Sequence, residues 1–258
     1  MESNVEATKQ QTSAEDRVSH AAPDWSPLYR IGGFASFALI VYSVATIAQM
    51  IALRGQPSSV EEAFRLLQTT RMVALLRLDL PTIMILPLYY LVFLSLYEAL
   101  KETSRIAALI ATVLAFAGNT LVLSTPTALS LIPLSDRYAS ATSEAARSQL
   151  LAAGNALMAI DIWHSTGALL GGALMQTGAV IISFAMLRGG VFSRFTAWLG
   201  IAMHGLDLAH VLVGVFLPTT SAVLLSVAGP FYPVWFFLIG RRLFQLASHK
   251  TPLPQTLQ

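Results

Sequence analysis

The chain has 258 residues, 55% of them hydrophobic and only 12% charged, with a formal net charge of +2 and a mean hydropathy of +0.62. An ordinary soluble domain is about one-quarter charged, so this composition is that of a membrane protein. There is no cysteine, which excludes disulfides, thiolate metal sites and cysteine nucleophiles. The basic residues flank apolar runs instead of forming the stripe that nucleic acid requires.

Residues 1–26 are polar and mixed in charge (Glu2, Glu6, Lys9, Glu15, Asp16, Arg17), without the apolar core of a cleaved signal peptide. They are expected to form a disordered cytoplasmic tail, residues 27–247 a membrane domain, and residues 248–258 a flexible cytoplasmic tail. Within the domain, apolar segments run at 31–53, 78–100, 106–126, 165–187, 195–217 and 221–240. Each reaches the roughly 20 residues a helix needs to cross about 30 Å of hydrocarbon. Period-two alternation is missing, and an open sheet cannot satisfy its edges in lipid. The expected fold is therefore all-α, a six-helix transmembrane bundle.

Between the first and second segments, Pro57-Ser58-Ser59-Val60-Glu61-Glu62 holds overlapping Ser-x-x-Glu capping boxes. An apolar stripe of Val60, Ala63, Phe64 and Leu67 follows. Between the third and fourth, Thr142-Ser143-Glu144 opens a helix with Ala146, Leu150, Ala153 and Leu157 on one face. Two short amphipathic helices are thus expected in the outer loops, covering the bundle or acting as a lid. Arg77 and Asp79 flank the outer end of the second segment and are expected to pair there. Pro81, Pro87, Pro230 and Pro233 are placed to kink their helices. Gly167 with Gly171, and Ala168 with Gly172, are small-xxx-small pairs that allow close helix approach.

Several stretches resemble a bacterial membrane family known as domain-of-unknown-function family 4386. They are Leu78-Asp79-Leu80-Pro81, Pro87-Leu88-Tyr89-Tyr90, and Leu134-Ser135-Asp136-Arg137-Tyr138-Ala139 leading into Gln149-Leu150-Leu151-Ala152-Ala153-Gly154. Further along come Met186-Leu187-Arg188, Val191-Phe192-Ser193-Arg194, Gly229-Pro230-Phe231, and Trp235 through Gly240-Arg241-Arg242-Leu243. The resemblance covers about residues 27–247 and implies a helical, multi-spanning protein of unassigned activity. It carries no site residue across, and His204, Asp207 and His210 lie outside its pattern.

Each segment places a hydrogen-bonding side chain near its midpoint. These are Tyr42 and Ser43, Tyr89 and Tyr90, Asn119 and Thr120, Gln176 and Thr177, Asp207, and Tyr232. Lipid offers them no partners, so they are expected to face inward as one polar layer, either a buried structural network or a binding cavity. His204, Asp207 and His210 share one helix face, since steps of three residues turn it by about 60°. An acid between two imidazoles suits a proton relay or a ligand pocket. Two His and one Asp also match first-row metal ligands, but this spacing along one helix brings them poorly to one ion. Asp207 is expected to meet Asn119 or Gln176 first, with Tyr89 or Tyr90 next. No Walker loop, Gly-x-Ser-x-Gly, His-Glu-x-x-His or dinucleotide fingerprint occurs, so no cofactor or metal is assigned.

The expected function is that of a multi-pass cell-membrane protein, a small-molecule or ion transporter or binding protein that pairs with a second copy. An intramembrane enzyme using His204, Asp207 and His210, or a structural subunit, is the alternative. Ten of the sixteen basic residues fall on the side of the two termini, with two in each short loop there, which makes that side cytoplasmic. Reporter fusions after Arg105 and Arg194 should read as cytoplasmic, and fusions after Arg65 and Arg147 as external. An external reading after Arg105 or Arg194 overturns the orientation.

Overall fold

A computed structural model describes residues 24–53, 55–162 and 165–248. The expected tails lie outside the described residues except at 24–26 and 248. Among the described residues there is no strand. The helices are α1 (Ser26–Leu53), α2 (Val60–Thr69), α3 (Arg71–Arg77), α4 (Leu80–Ile85), α5 (Pro87–Leu123), α6 (Ala128–Ser140), α7 (Glu144–Met158), α8 (Thr166–Gly189), α9 (Arg194–Gly214), α10 (Pro218–Ala228) and α11 (Phe231–Ser248).

Five helical stretches are long and apolar enough to cross a membrane: Ser26–Leu53, Leu80–Ser140, Thr166–Gly189, Arg194–Gly214 and Pro218–Ser248. The second stretch contains two of the expected segments. Its helical path breaks at Ser104 (φ −150°, ψ 48°), and α5 folds back on itself. Asn119 Nδ2 donates to Leu86 O at 3.0 Å, and the Tyr90 and Thr120 hydroxyls meet at 2.7 Å. Those pairings run in antiparallel register, so α5 has two limbs and the bundle has six apolar legs.

Serines start several helices. Ser59, Ser143, Ser165 and Ser193 each accept a hydrogen bond from the amide three residues on, removing one orphan donor apiece. Prolines divide the second and last legs. Pro87 breaks the hydrogen-bond ladder after Leu86, and Pro230 breaks it after Gly229 between α10 and α11, while Leu86 and Gly229 keep helical dihedrals.

The legs touch closely where side chains are smallest. A β-carbon added to Gly118 would lie 2.4 Å from Gly171 O, and one added to Gly178 would lie 2.5 Å from Ala111 O. The second limb of α5 and α8 therefore meet backbone to backbone. Gly171 carries out the close approach expected of it, while Gly172 faces Val211 of α9. Leu39, Phe93, Leu96, Ile182, Met186, Met203, Trp235 and Phe236 fill the interior. The outward faces keep Phe34, Val41, Ile106, Val113, Trp198, Phe216 and Phe237 exposed, the surface expected of helices solvated by lipid chains.

One end of the bundle carries a second hydrophobic cluster. The expected stripe of α2 is buried in full, with Val60, Ala63 and Phe64 at 0% exposure and Leu67 at 1%. It packs against Ala74, Leu78, Ala128 and Leu131 and against Tyr138, Leu151 and Leu157. This end of the bundle is thus a cap of four short helices, α2, α3, α6 and α7, where two were expected. In α7 the inward face runs through Leu151 and Gly154, and Ala153 is exposed.

The pairing expected between Arg77 and Asp79 does not form. Arg77 bridges to Glu62 at 2.8 Å and donates to the carbonyls of Gly55 and Gln56. Hydrogen bonds from the Ser58 amide and hydroxyl, helped by Arg77, hold the Glu62 carboxyl down at about 2. That contact is fully present above the free carboxylate value of about 4.3 and is lost as pH falls through about 2. Asp79, only 2% exposed, accepts from Thr127 N at 2.6 Å, Ala128 N at 3.0 Å and Thr127 Oγ1 at 3.3 Å. It caps the N-terminus of α6 from 48 residues away and fastens the cap to the second leg.

Candidate functional site

Three legs bring polar side chains together inside the bundle. Gln176 lies midway along α8. His204 and Asp207 lie three residues apart on one face of α9. Tyr232 lies in the first turn of α11, just past the break at Gly229 and Pro230. Gln176, His204 and Asp207 are 5%, 2% and 8% exposed.

Gln176 is the hub. Its Nε2 donates to Asp207 Oδ2 at 2.6 Å and to the Tyr232 hydroxyl at 3.1 Å. Tyr232 in turn donates its own proton to the same Asp207 oxygen. The Gln176 amide oxygen lies 2.7 Å from His204 Nδ1. An amide oxygen only accepts, so the Nδ1 of His204 carries a proton and the neutral ring leaves Nε2 as a bare lone pair. That Nε2 is enclosed and has no partner among the described residues, and neither has the nearby Trp235 Nε1. The His204 ring stands edge-on to Trp235 at 4.8 Å and to Tyr232 at 5.4 Å, so packing as well as hydrogen bonding fixes its plane.

Asp207 is used asymmetrically. Both of its hydrogen bonds fall on Oδ2. Oδ1 takes none from the described residues, and it is not among their fully enclosed unpaired atoms. One carboxylate oxygen is therefore held and the other is open to a proton or to a donor on a ligand.

The remaining candidates separate from this cluster. His210 Nδ1 meets the Ser221 hydroxyl at 2.6 Å and Ser221 O at 3.0 Å, so it ties α9 to α10 and does not join Asp207. Asn119 is spent on Leu86 O, and its Oδ1 is enclosed without a partner among the described residues. Tyr90 bonds Thr120 at 2.7 Å, and Tyr89 sets its ring edge-on to Phe236 at 5.8 Å. Tyr42 bonds Thr82 at 2.8 Å.

The single polar layer expected from the sequence is thus several local groups. The physical reason is back-bonding. Ser43, Thr112, Thr177 and Ser183 each donate to the carbonyl four residues earlier in their own helix, and a hydroxyl satisfied in this way needs no partner from another leg. Among the described residues no three His, Asp or Glu side chains gather as metal ligands.

Sequence reasoning placed Tyr232 at mid-membrane but not among the binding candidates, and it missed Trp235. The signal available was the Gly229-Pro230 break, which starts a new helix and sets both residues on its inward face. Comparison with protein-family models, with curated proteins and with solved structures finds no match. The family resemblance therefore rests on the quoted residues alone.

Gln176→Leu removes three hydrogen bonds and strands His204 Nδ1, while Asp207 and Tyr232 keep only each other. At about 0.6 kcal/mol for an average interhelical bond in a membrane protein, the loss should be about 2 kcal/mol, read as a lower unfolding temperature in detergent micelles. Asn119→Leu, with one such bond, should cost less. Equal stability of Gln176→Leu and the parent chain would show that the cluster does not hold α8, α9 and α11 together.

Proposed function

We propose that the chain is a multi-pass membrane protein that binds or transports a small solute or ion in step with a proton at Asp207. One observation carries this reading: Oδ2 of Asp207 receives both of its hydrogen bonds while Oδ1 stays open. A proton arriving on Oδ1 leaves Oδ2 able to accept from Gln176 and Tyr232. Asp207 can thus change charge without dismantling its surroundings, a property that a purely structural acid does not need.

The change would be felt at Tyr232. A hydroxyl bond to a carboxylate is about twice as strong as one to a neutral acid. Protonation therefore loosens the hold of α9 on the start of α11, which lies beside the break at Gly229 and Pro230. A leg whose hydrogen-bond ladder is interrupted at the level of its binding group supplies a moving part for alternating access. His204, whose enclosed Nε2 has no partner among the described residues, holds its neutral ring one turn away in the same cluster. His210 directs its Nδ1 to Ser221 and not to Asp207, which weighs against an enzyme built on all three residues.

The bilayer is the chain's first partner, and six legs would serve a transporter best as a homo-oligomer. The cell membrane as its place, cytoplasmic termini and kinship with the family it resembles belong to the same proposal. Purified protein in liposomes with a trapped pH dye provides the test. A panel of organic solutes and salts should include at least one whose gradient shifts internal pH, and Asp207→Asn should abolish that shift while unfolding at nearly the same temperature. A panel without effect, or an Asp207→Asn protein as active as the parent, would leave a structural polar lock as the role of the cluster.

A further inference from the structure

Two cavities lie side by side at the end of the bundle opposite the cap, and they differ in chemistry. The first, about 420 Å³, runs along α1 and α11 and is walled by Phe37, Phe237 and Phe244. The second, about 410 Å³, lies between α11 and the α8–α9 connection, where Ser193, Thr196, Arg241 and Arg242 line it. Arg241 and Gln245 belong to both walls, so the apolar cavity opens beside the cationic one. Among the described residues, no acidic side chain lines either.

We propose that this pair of cavities binds an anionic phospholipid, with the phosphate on Arg241 and Arg242 and an acyl chain along Phe37, Phe237 and Phe244.

The aromatic wall is built into the helix packing. A β-carbon at Gly33 would lie 2.9 Å from the Phe244 ring, and one at Gly240 would lie 3.0 Å from the Phe37 ring. The two glycines therefore let the rings lie against the facing helix. Phe37 meets Phe237 edge-on at 5.9 Å and lies tilted against Phe244 at the same distance. Phe237 is 46% exposed on the lipid-facing side, where a chain can enter without crossing polar surface.

The cationic wall has a fixed and a free arginine. Arg242 is anchored on Val191 O and Gln245 Oε1. Arg241 makes no hydrogen bond or ion pair with the described residues, so its guanidinium fork remains available for phosphate oxygens. The first amides of α9, behind Ser193, favour negative charge at the same place. Lys101 packs over the Trp25 ring at 4.8 Å at this end of the bundle, an aromatic and a cation of the kind that marks head-group depth. An anion without a tail would leave the aromatic groove bare, and a zwitterionic phosphatidylcholine would bring a choline cation as well as its phosphate against Arg241 and Arg242. Only an amphiphile of negative charge uses both walls.

The test uses the full chain in a neutral detergent, titrated separately with short-chain phosphatidylglycerol, short-chain phosphatidylcholine and inorganic phosphate, with bound species counted by native mass spectrometry. Phosphatidylglycerol should bind, and the other two should bind at least about tenfold more weakly, phosphatidylcholine because its ammonium meets like charge and inorganic phosphate because it lacks the apolar contacts. Arg241→Gln should weaken phosphatidylglycerol by about tenfold, and Phe237→Ala should also weaken it. Both positions are exposed, so neither variant threatens the fold. Arg65→Gln, on the cap, should bind as the parent does. Equal binding of phosphatidylcholine, undiminished binding by Arg241→Gln, or inorganic phosphate binding as tightly as the lipid would each overturn the proposal. The last result would assign a free-anion site.

Discussion

A hydrocarbon surround offers no hydrogen bonds, and most of this architecture answers that constraint. Backbone amides and carbonyls are met within helices. Serine and threonine hydroxyls are met by the carbonyl one turn back, as at Thr112 and Ser183. Groups too long or too charged for that local solution are met across legs, and these cross-links set which helices touch. Gln176, Asp207 and Tyr232 tie α8, α9 and α11, while Asp79 ties the second leg to α6. Two buried carboxylates thus perform different tasks. Asp79 engages both oxygens and locks a helix start, whereas Asp207 commits one and keeps the other open.

Glycine placement is the complementary constraint. Lipid supplies no hydrophobic force between helices, so dispersion and close approach must hold the legs. Gly118, Gly171 and Gly178 let α5 and α8 touch through backbone, and Gly33 and Gly240 admit aromatic rings between α1 and α11. The tight first contact seats the polar cluster. The looser second one leaves the aromatic groove at the lipid surface.

What the sequence revealed follows the range of the interactions involved. Apolar length announced the legs, and the Ser-x-x-Glu boxes with the Val60, Ala63, Phe64 and Leu67 stripe announced α2. These are local signals of period 3.6. Asp207 and Gln176 were legible as partners because an acid at that depth must find a polar neighbour. Helix α6 was not legible. Pro133 interrupts its pattern, and its N-terminal cap comes from Asp79, far away in sequence. The reversal at Ser104 was legible only as a short polar loop, whereas the two limbs are nearly continuous helix. The single polar layer failed because spacing along a segment gives depth but not direction. It could not say that Asn119 turns to Leu86 or that His210 turns to Ser221.

Exchange of a proton at Asp207 Oδ1, while Oδ2 keeps its hydrogen bonds, is the central proposal. Infrared difference spectroscopy of the purified protein through a pH titration observes this directly. The account predicts a carboxylic-acid carbonyl band that appears and disappears with pH, is absent in Asp207→Asn, and shifts in Tyr232→Phe, where one bond to Oδ2 is lost. A spectrum in which no such band titrates, or one unchanged by Asp207→Asn, would contradict it.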